Sequence, residues 1–213
     1  MTNKTISIIN KANRVKEKYD ILTFDTHERY QTQLCKTGHN FYSFRYNDCK
    51  EWNDTYALKP SNYYVLLKNS IINGLDFDFI LSQSKFGQFQ VSQQINQTLR
   101  IPIVSLEHTL PIPSWPNEQT QAFRQMLGDI NVFISEYSIR EWDMQGNHDA
   151  VHHSVDSEIF KPIDIPKNPV VLSVVNDFVN RDYCCNYKGW QRITENFDTR
   201  LVGNTEGLSK PAA

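Results

Sequence analysis

At 213 residues the chain is long for one ordinary domain and short for two. Its 39% apolar and 12% aromatic residues, against 22% charged, supply enough side chain for a real core and exclude a disordered or low-complexity polymer. The 22 Lys plus Arg against 24 Asp plus Glu leave a net charge of −2, so nothing global attracts a polyphosphate backbone, and nucleic acid is not the expected partner.

Tyr19-Asp20-Ile21-Leu22-Thr23-Phe24 is a short apolar run that stops at the polar stretch Asp25 to Arg29, the pattern of a buried strand opening a strand–helix–strand unit. A short helix over Glu28 to Lys36 follows, closed near Gly38, and Asn40 to Arg45 reads as the second strand. Ser61 or Asn62 is placed to cap a helix over Tyr63 to Ile72, although Tyr63 to Leu67 fits an extended segment equally well. Phe77 to Ser82 is a strand. The Gln-rich stretch Ser84 to Leu99 sets Phe86, Phe89, Ile95 and Leu99 on one helical face. Arg100 to Leu106 returns as a strand with Pro102 near its start, where a missing donor is tolerated.

Glu107 to Glu118 is a proline-rich loop, and a helix over Gln119 to Leu127 is expected to end at Gly128. Asp129 to Ser135 is a strand, Ser138 to Met144 a helix with Ile139 and Trp142 inward, and Ala150 to His153 a short extended piece. Strands alternating with helices at this rhythm predict a mostly parallel, Rossmann-like α/β sheet with helices on both faces. Pro162, Pro166 and Pro169 then make a linker. Beyond it come a strand over Val170 to Val175, a loop to Asn186, a helix over Lys188 to Glu195 and a strand over Thr199 to Gly203. The expected organisation is a first domain over residues 1–163 and the opening of a second α/β domain over 164–213.

Three stretches carry a resemblance. Thr37-Gly38-His39 is similar to a "G-H-x-V" step. His152 to Pro162 matches "N-G-V-D-x-x-x-F-x-P" at Val155, Asp156, Phe160 and Pro162, with Ser154 where glycine is usual. Val170 to Gly203 carries a basic loop residue, Arg181, then Lys188-Gly189 opening a helix, then Leu201-Val202-Gly203. In this order they resemble the nucleotide-sugar glycosyltransferases of the GT-B fold, in particular the large retaining family numbered four. The resemblance implies metal-independent transfer of a sugar from a nucleotide diphosphate to an acceptor hydroxyl, with retention and without a further cofactor. The Glu-x₇-Glu segment of such donor domains does not occur here. The chain is therefore expected to hold only part of the donor domain, to be loosely packed there or completed by missing chain, and to be inactive alone if nothing completes it.

Departure of a diphosphate needs cations where negative charge grows. Arg181 offers a bidentate fork, and Lys188, with Gly189, a compact ammonium at a helix N-terminus. The resemblance assigns these residues to the donor diphosphate. His108 lies just past a parallel strand, where ligands of open α/β sheets bind, and the resemblance gives it the donor sugar. Its neighbour Glu107 is a candidate carboxylate near the reacting carbon, or a cap. His27, Glu28 and Arg29 follow the first strand and would face the acceptor, with Glu28 alternatively a first-turn residue complementing the helix dipole. Each has a bland reading as a solvated charge or loop anchor.

No metal site is expected: His152 and His153, read as strand, point to opposite faces. Cys35, Cys49, Cys184 and Cys185 form neither a disulfide framework nor a C-x-x-C pair, which suggests a reducing compartment. With no signal-peptide pattern and no run of roughly 18 apolar residues, a cytoplasmic protein is expected. Lys4, Lys11, Arg14, Lys16 and Lys18 suit either a peripheral membrane contact or a solvated face. The rival reading from another class is a non-catalytic Rossmann-like binding or assembly protein, or one half of a split enzyme.

Overall fold

The computed structural model describes residues 17–24, 26–45, 51–66 and 76–203. The basic residues Lys4 to Lys16, Cys49, and the part of the expected third-element helix beyond residue 66 lie outside the described residues. The chain divides into two compact units, one holding the described residues through Pro111 with Pro116–Ile159, the other Ile112–Trp115 with the described residues from Phe160 onward.

The first unit runs β1 (Asp20–Thr23), α1 (Glu28–Cys35), β2 (Asn40–Phe44), β3 (Tyr63–Leu66), β4 (Phe79–Ser82), α2 (Gln88–Leu99), β5 (Ile103–Glu107), α3 (Asn117–Arg124), β6 (Ile130–Phe133), α4 (Glu136–Glu141) and β7 (His148–Ala150). Its seven strands pair in parallel in the order β3-β2-β1-β4-β5-β6-β7. The order runs outward from β1 in one direction and from β4 in the other. These two strands therefore flank the switch point of a Rossmann-like α/β sheet, and the loops at their carboxyl ends diverge there.

Period-two alternation gives each sheet face its own core. Leu22, Phe24, Ile80 and Ile103 point to one face with Phe77 and Ile101, and Phe89, Ile95 and Leu99 of α2 cover them. Ile21, Phe41, Tyr63, Leu81 and Leu106 point to the other, where α1 brings Tyr30, Leu34 and Cys35. Burying one such side chain contributes about 1.5–3 kcal/mol, so the paired cores fix strand register.

Several boundaries differ from expectation. Tyr63–Leu66 is a strand, not the first turn of a helix. Tyr63 turns inward against Trp52, with ring centroids 4.8 Å apart, while Tyr64 stacks on Tyr42 of the neighbouring strand at 4.9 Å. Successive side chains directed to opposite faces, one of them in a cross-strand pair, suit β geometry. α2 begins at Gln88, with Gly87 at φ +80° in its N-cap position. Phe86 therefore sits in the preceding turn, against Phe123, and not on the buried face of the helix.

α3 ends at Arg124, short of Gly128. Gly128 instead permits a close backbone approach: a Cβ there would lie 2.7 Å from the Ile103 carbonyl oxygen. α4 starts before Ser138, because the Ser135 hydroxyl accepts the Ser138 N–H at 3.1 Å and caps the helix. Ile139 and Trp142 are buried as expected.

The second unit holds a two-stranded parallel sheet of β8 (Val171–Val174) and β9 (Thr199–Val202), with α5 (Asp182–Cys185) and α6 (Tyr187–Thr194) between them. The stretch expected to be a loop up to Asn186 thus contains α5. Trp190 donates to the Ser173 hydroxyl at 2.8 Å and packs with Tyr187 on the buried Phe178, which makes a small aromatic core. Leu172 and Val174 are 61% and 70% exposed. That leaves apolar surface of a kind that parallel sheets ordinarily cover on both sides.

Candidate functional site

The first unit gathers its chemistry at the carboxyl end of β5. Glu107, the last residue of that strand, is only 1% exposed. One carboxylate oxygen accepts the Lys85 N–H at 3.0 Å, and the other accepts the Thr109 N–H at 3.0 Å and the Thr109 hydroxyl at 2.6 Å. The Thr109 carbonyl accepts from the indole of Trp142 at 2.8 Å. The turn bearing His108 is therefore held from β5, from the loop after β4 and from the end of α4. Glu107 is the anchor of this turn, with both of its oxygens engaged.

His108 rises from that turn. Its Nδ1 lies 3.1 Å from Nε2 of His153, and its ring stands perpendicular to Tyr30 of α1 with centroids 4.5 Å apart. Tyr30 also meets His153 at 5.3 Å. Burial, assisted by His153, pushes the His108 pKa down to about 4, so the imidazole is neutral at physiological pH. Its Nε2 is buried with no hydrogen-bond partner. Beside this cluster an open cleft of about 280 Å³ has an apolar floor of Leu81, Val104, Leu106 and Val132 and a polar rim that includes Tyr30 and His153.

A second buried ion lies close by. Lys85 is 1% exposed, donates from Nζ to the Met126 carbonyl at 2.5 Å, and lies over the Trp142 ring at 5.7 Å. Burial lowers its pKa to about 8, against the opposing pull of Glu107. At the switch point, the buried Gln83 amide donates to Thr23 Oγ1 at 2.9 Å and to Gln31 at 3.0 Å, and accepts from Thr26 at 3.3 Å. This network supports the loop that leaves β1.

His27, Glu28 and Arg29 come at the head of α1, where the sequence puts them. His27 caps the helix, its Nδ1 accepting the Arg29 N–H at 3.3 Å. Glu28 accepts from the Asn53 N–H at 3.0 Å, and Arg29 donates through Nε to the Tyr56 carbonyl at 3.3 Å. Glu28 and Arg29, with the His27 ring 5.6 Å from Tyr56, thus tie α1 to the 53–56 loop.

In the second unit Asp182 stands at the head of α6: its carboxylate accepts the Lys188 N–H at 2.8 Å and pairs with the Lys188 ammonium at 3.6 Å. The helix N-terminus expected to bind phosphate therefore already holds an internal anion. Gly189 is buried, and a Cβ there would overlap the Asn186 amide. Arg181 precedes α5, its guanidinium beside Cys184 and Cys185.

Asp156 is paired with Lys36. That hydrogen bond holds its carboxyl below the usual range. His152 and His153 follow the end of β7 and are not in a strand, so the opposite-face argument does not apply to them. Among the described residues, no three His, Cys, Asp or Glu side chains converge to hold a metal ion, and no helix is long and apolar enough to cross a membrane.

Residue order names His108 and Glu107 and puts Lys85 at a strand end, but it gives no sign of the burial of Lys85, of Tyr30 in the site or of the pairing of His108 with His153. No local pattern signals a contact between residues 45 apart. No family model matches the chain, and a search of curated proteins returns no match.

Proposed function

We propose that the protein transfers a sugar from a nucleotide diphosphate to an acceptor hydroxyl, as the resemblance implies. In that reaction the bond from the anomeric carbon to the diphosphate breaks, a bond to the acceptor oxygen forms, and the hydroxyl proton leaves with the diphosphate. The observation that supports the reading best is His108: a neutral imidazole held on a braced turn at the carboxyl end of a central parallel strand, beside a cleft. With Nδ1 engaged by His153, Nε2 is left with an unmet hydrogen-bonding capacity, which suits one sugar hydroxyl.

On this reading Arg181 and Lys188 bind the diphosphate, and Asp182 is the anion it displaces from Lys188 and the α6 N-terminus. His27, Glu28 and Arg29 flank the acceptor, and no metal or other cofactor takes part. A cytoplasmic setting, where nucleotide sugars are made, goes with it. Asp182 also favours the rival reading, a Rossmann-like binding protein without transfer activity, since it fills the anion position.

Calorimetric titration with UDP- and GDP-linked sugars separates the two. The transfer reading expects at least tenfold weaker binding for the Arg181→Ala, Lys188→Ala double variant and severalfold tighter binding for Asp182→Asn. Equal binding by all forms removes the diphosphate assignment. Sugar binding without product release to any hydroxyl acceptor leaves the binding protein.

A further inference from the structure

Outside the sites above, the structure brings two nucleophiles together on the surface of the second unit. Cys184 and Cys185 are free thiols at the end of α5, Cys184 exposed and Cys185 partly so, with their sulfurs 3.8 Å apart. We infer that this pair is a two-thiolate binding site for a soft, thiophilic ion or metalloid.

The spacing carries the inference. Two thiolates on one tetrahedral centre, each about 2.3 Å from it, lie roughly 3.8 Å from each other. A disulfide needs its sulfurs at about 2.05 Å, with Cα atoms usually about 4.4–6.8 Å apart. Consecutive Cα atoms are only about 3.8 Å apart, so direct bonding strains this pair whereas bridging through a third atom does not. The two sulfurs already lie at the bridged separation, with the Cys184 thiol donating to the Arg181 carbonyl at 3.5 Å.

Charge is provided for as well. Binding turns both thiols into thiolates, and the Arg181 guanidinium stands beside them. Burial, Cys184 and the Asp177 carboxylate raise the Cys185 thiol, and Arg181 acts in the opposite sense. Soft sulfur donors select soft acceptors over magnesium or calcium. The site shares Arg181 with the sugar-transfer reading, but its two sulfur ligands play no part in that reading.

Phenylarsonous acid is a suitable probe. Its arsenic exchanges two hydroxyls for two sulfurs: two As–S bonds form, two As–O bonds break, and the thiol protons leave with the hydroxyls as two waters. Arsenic(III) keeps its oxidation state. The reduced full chain, titrated and weighed intact, is expected to take one arsenical that withstands millimolar glutathione and is removed by dimercaptopropanol.

Cys184→Ser and Cys185→Ser should each weaken retention at least tenfold. Cys35→Ser, at a buried thiol whose pKa is pushed up to about 11, should retain the adduct. An adduct that survives in both serine variants, one stripped by glutathione, or no adduct on the wild-type chain overturns the proposal.

Discussion

His108 and His153, 45 positions apart in the chain, face each other through ring nitrogens 3.1 Å apart. One hydrogen between them satisfies both nitrogens, whereas a second would set two N–H donors head to head. Their geometry has a consequence for acid stability. The folded His108 pKa of about 4 lies below the roughly 6.5 of a free imidazole, so between these values the unfolded chain binds more protons. The contribution is complete above pH 6.5 and is lost as pH falls toward 4. Partial exposure of the ring screens it to about 2 kcal/mol. Urea melts of wild type and His108→Asn should therefore converge on acidification from pH 6.5 to 4; parallel curves would show that His108 is not held neutral.

Glu107 anchors the turn beneath that pair, and its removal should be felt first in stability. Glu107→Ala strands the Lys85 and Thr109 N–H groups and removes the carboxylate whose charge favours the buried Lys85 ammonium, a loss of about 2–4 kcal/mol. Glu107→Gln keeps an acceptor for Thr109 and should recover about half. If Gln is as damaging as Ala to the proposed sugar transfer while fully restoring the melting midpoint, the carboxylate has a chemical part beyond anchoring.

Lys85 has a pH signature of the same sign at the alkaline end. Its folded pKa of about 8 is below its ordinary value of 10.5, so the unfolded chain binds the extra proton between them, and raising pH favours the folded state. The stability of wild type relative to Lys85→Met should climb from pH 8 to 10. Below pH 8 the Met variant should come within about 1 kcal/mol of wild type or exceed it, because an apolar chain removes a buried charge. Differential scanning at matched ionic strength reads this out, and a flat difference across pH 8 to 10 contradicts the buried-ammonium account.

Much of the architecture was legible along the chain because strands and helices of a parallel α/β sheet are local patterns. Ile21-Leu22, Ile80-Leu81 and Ile103-Val104 read as doubly buried strands, and the helices between them read by their spacing and caps. Tyr63 to Leu66 stayed ambiguous since a short apolar run fits both periods, and only its pairing with β2 decided for strand.

The site divides along the same line. That His108 stands beyond a strand end follows from the order of residues alone. That Tyr30 and His153 enclose it, that Glu107 points back into its own turn, and that Asp182 fills the head of α6 depend on which residues folding brings together. Sequence by itself determined the α/β rhythm and the break near residue 160, since hydrophobic period and proline stereochemistry act over a few neighbours. The tertiary structure alone decided which ionisable groups are neutral, paired or buried, since burial and Coulomb interaction depend on distance in space rather than along the chain.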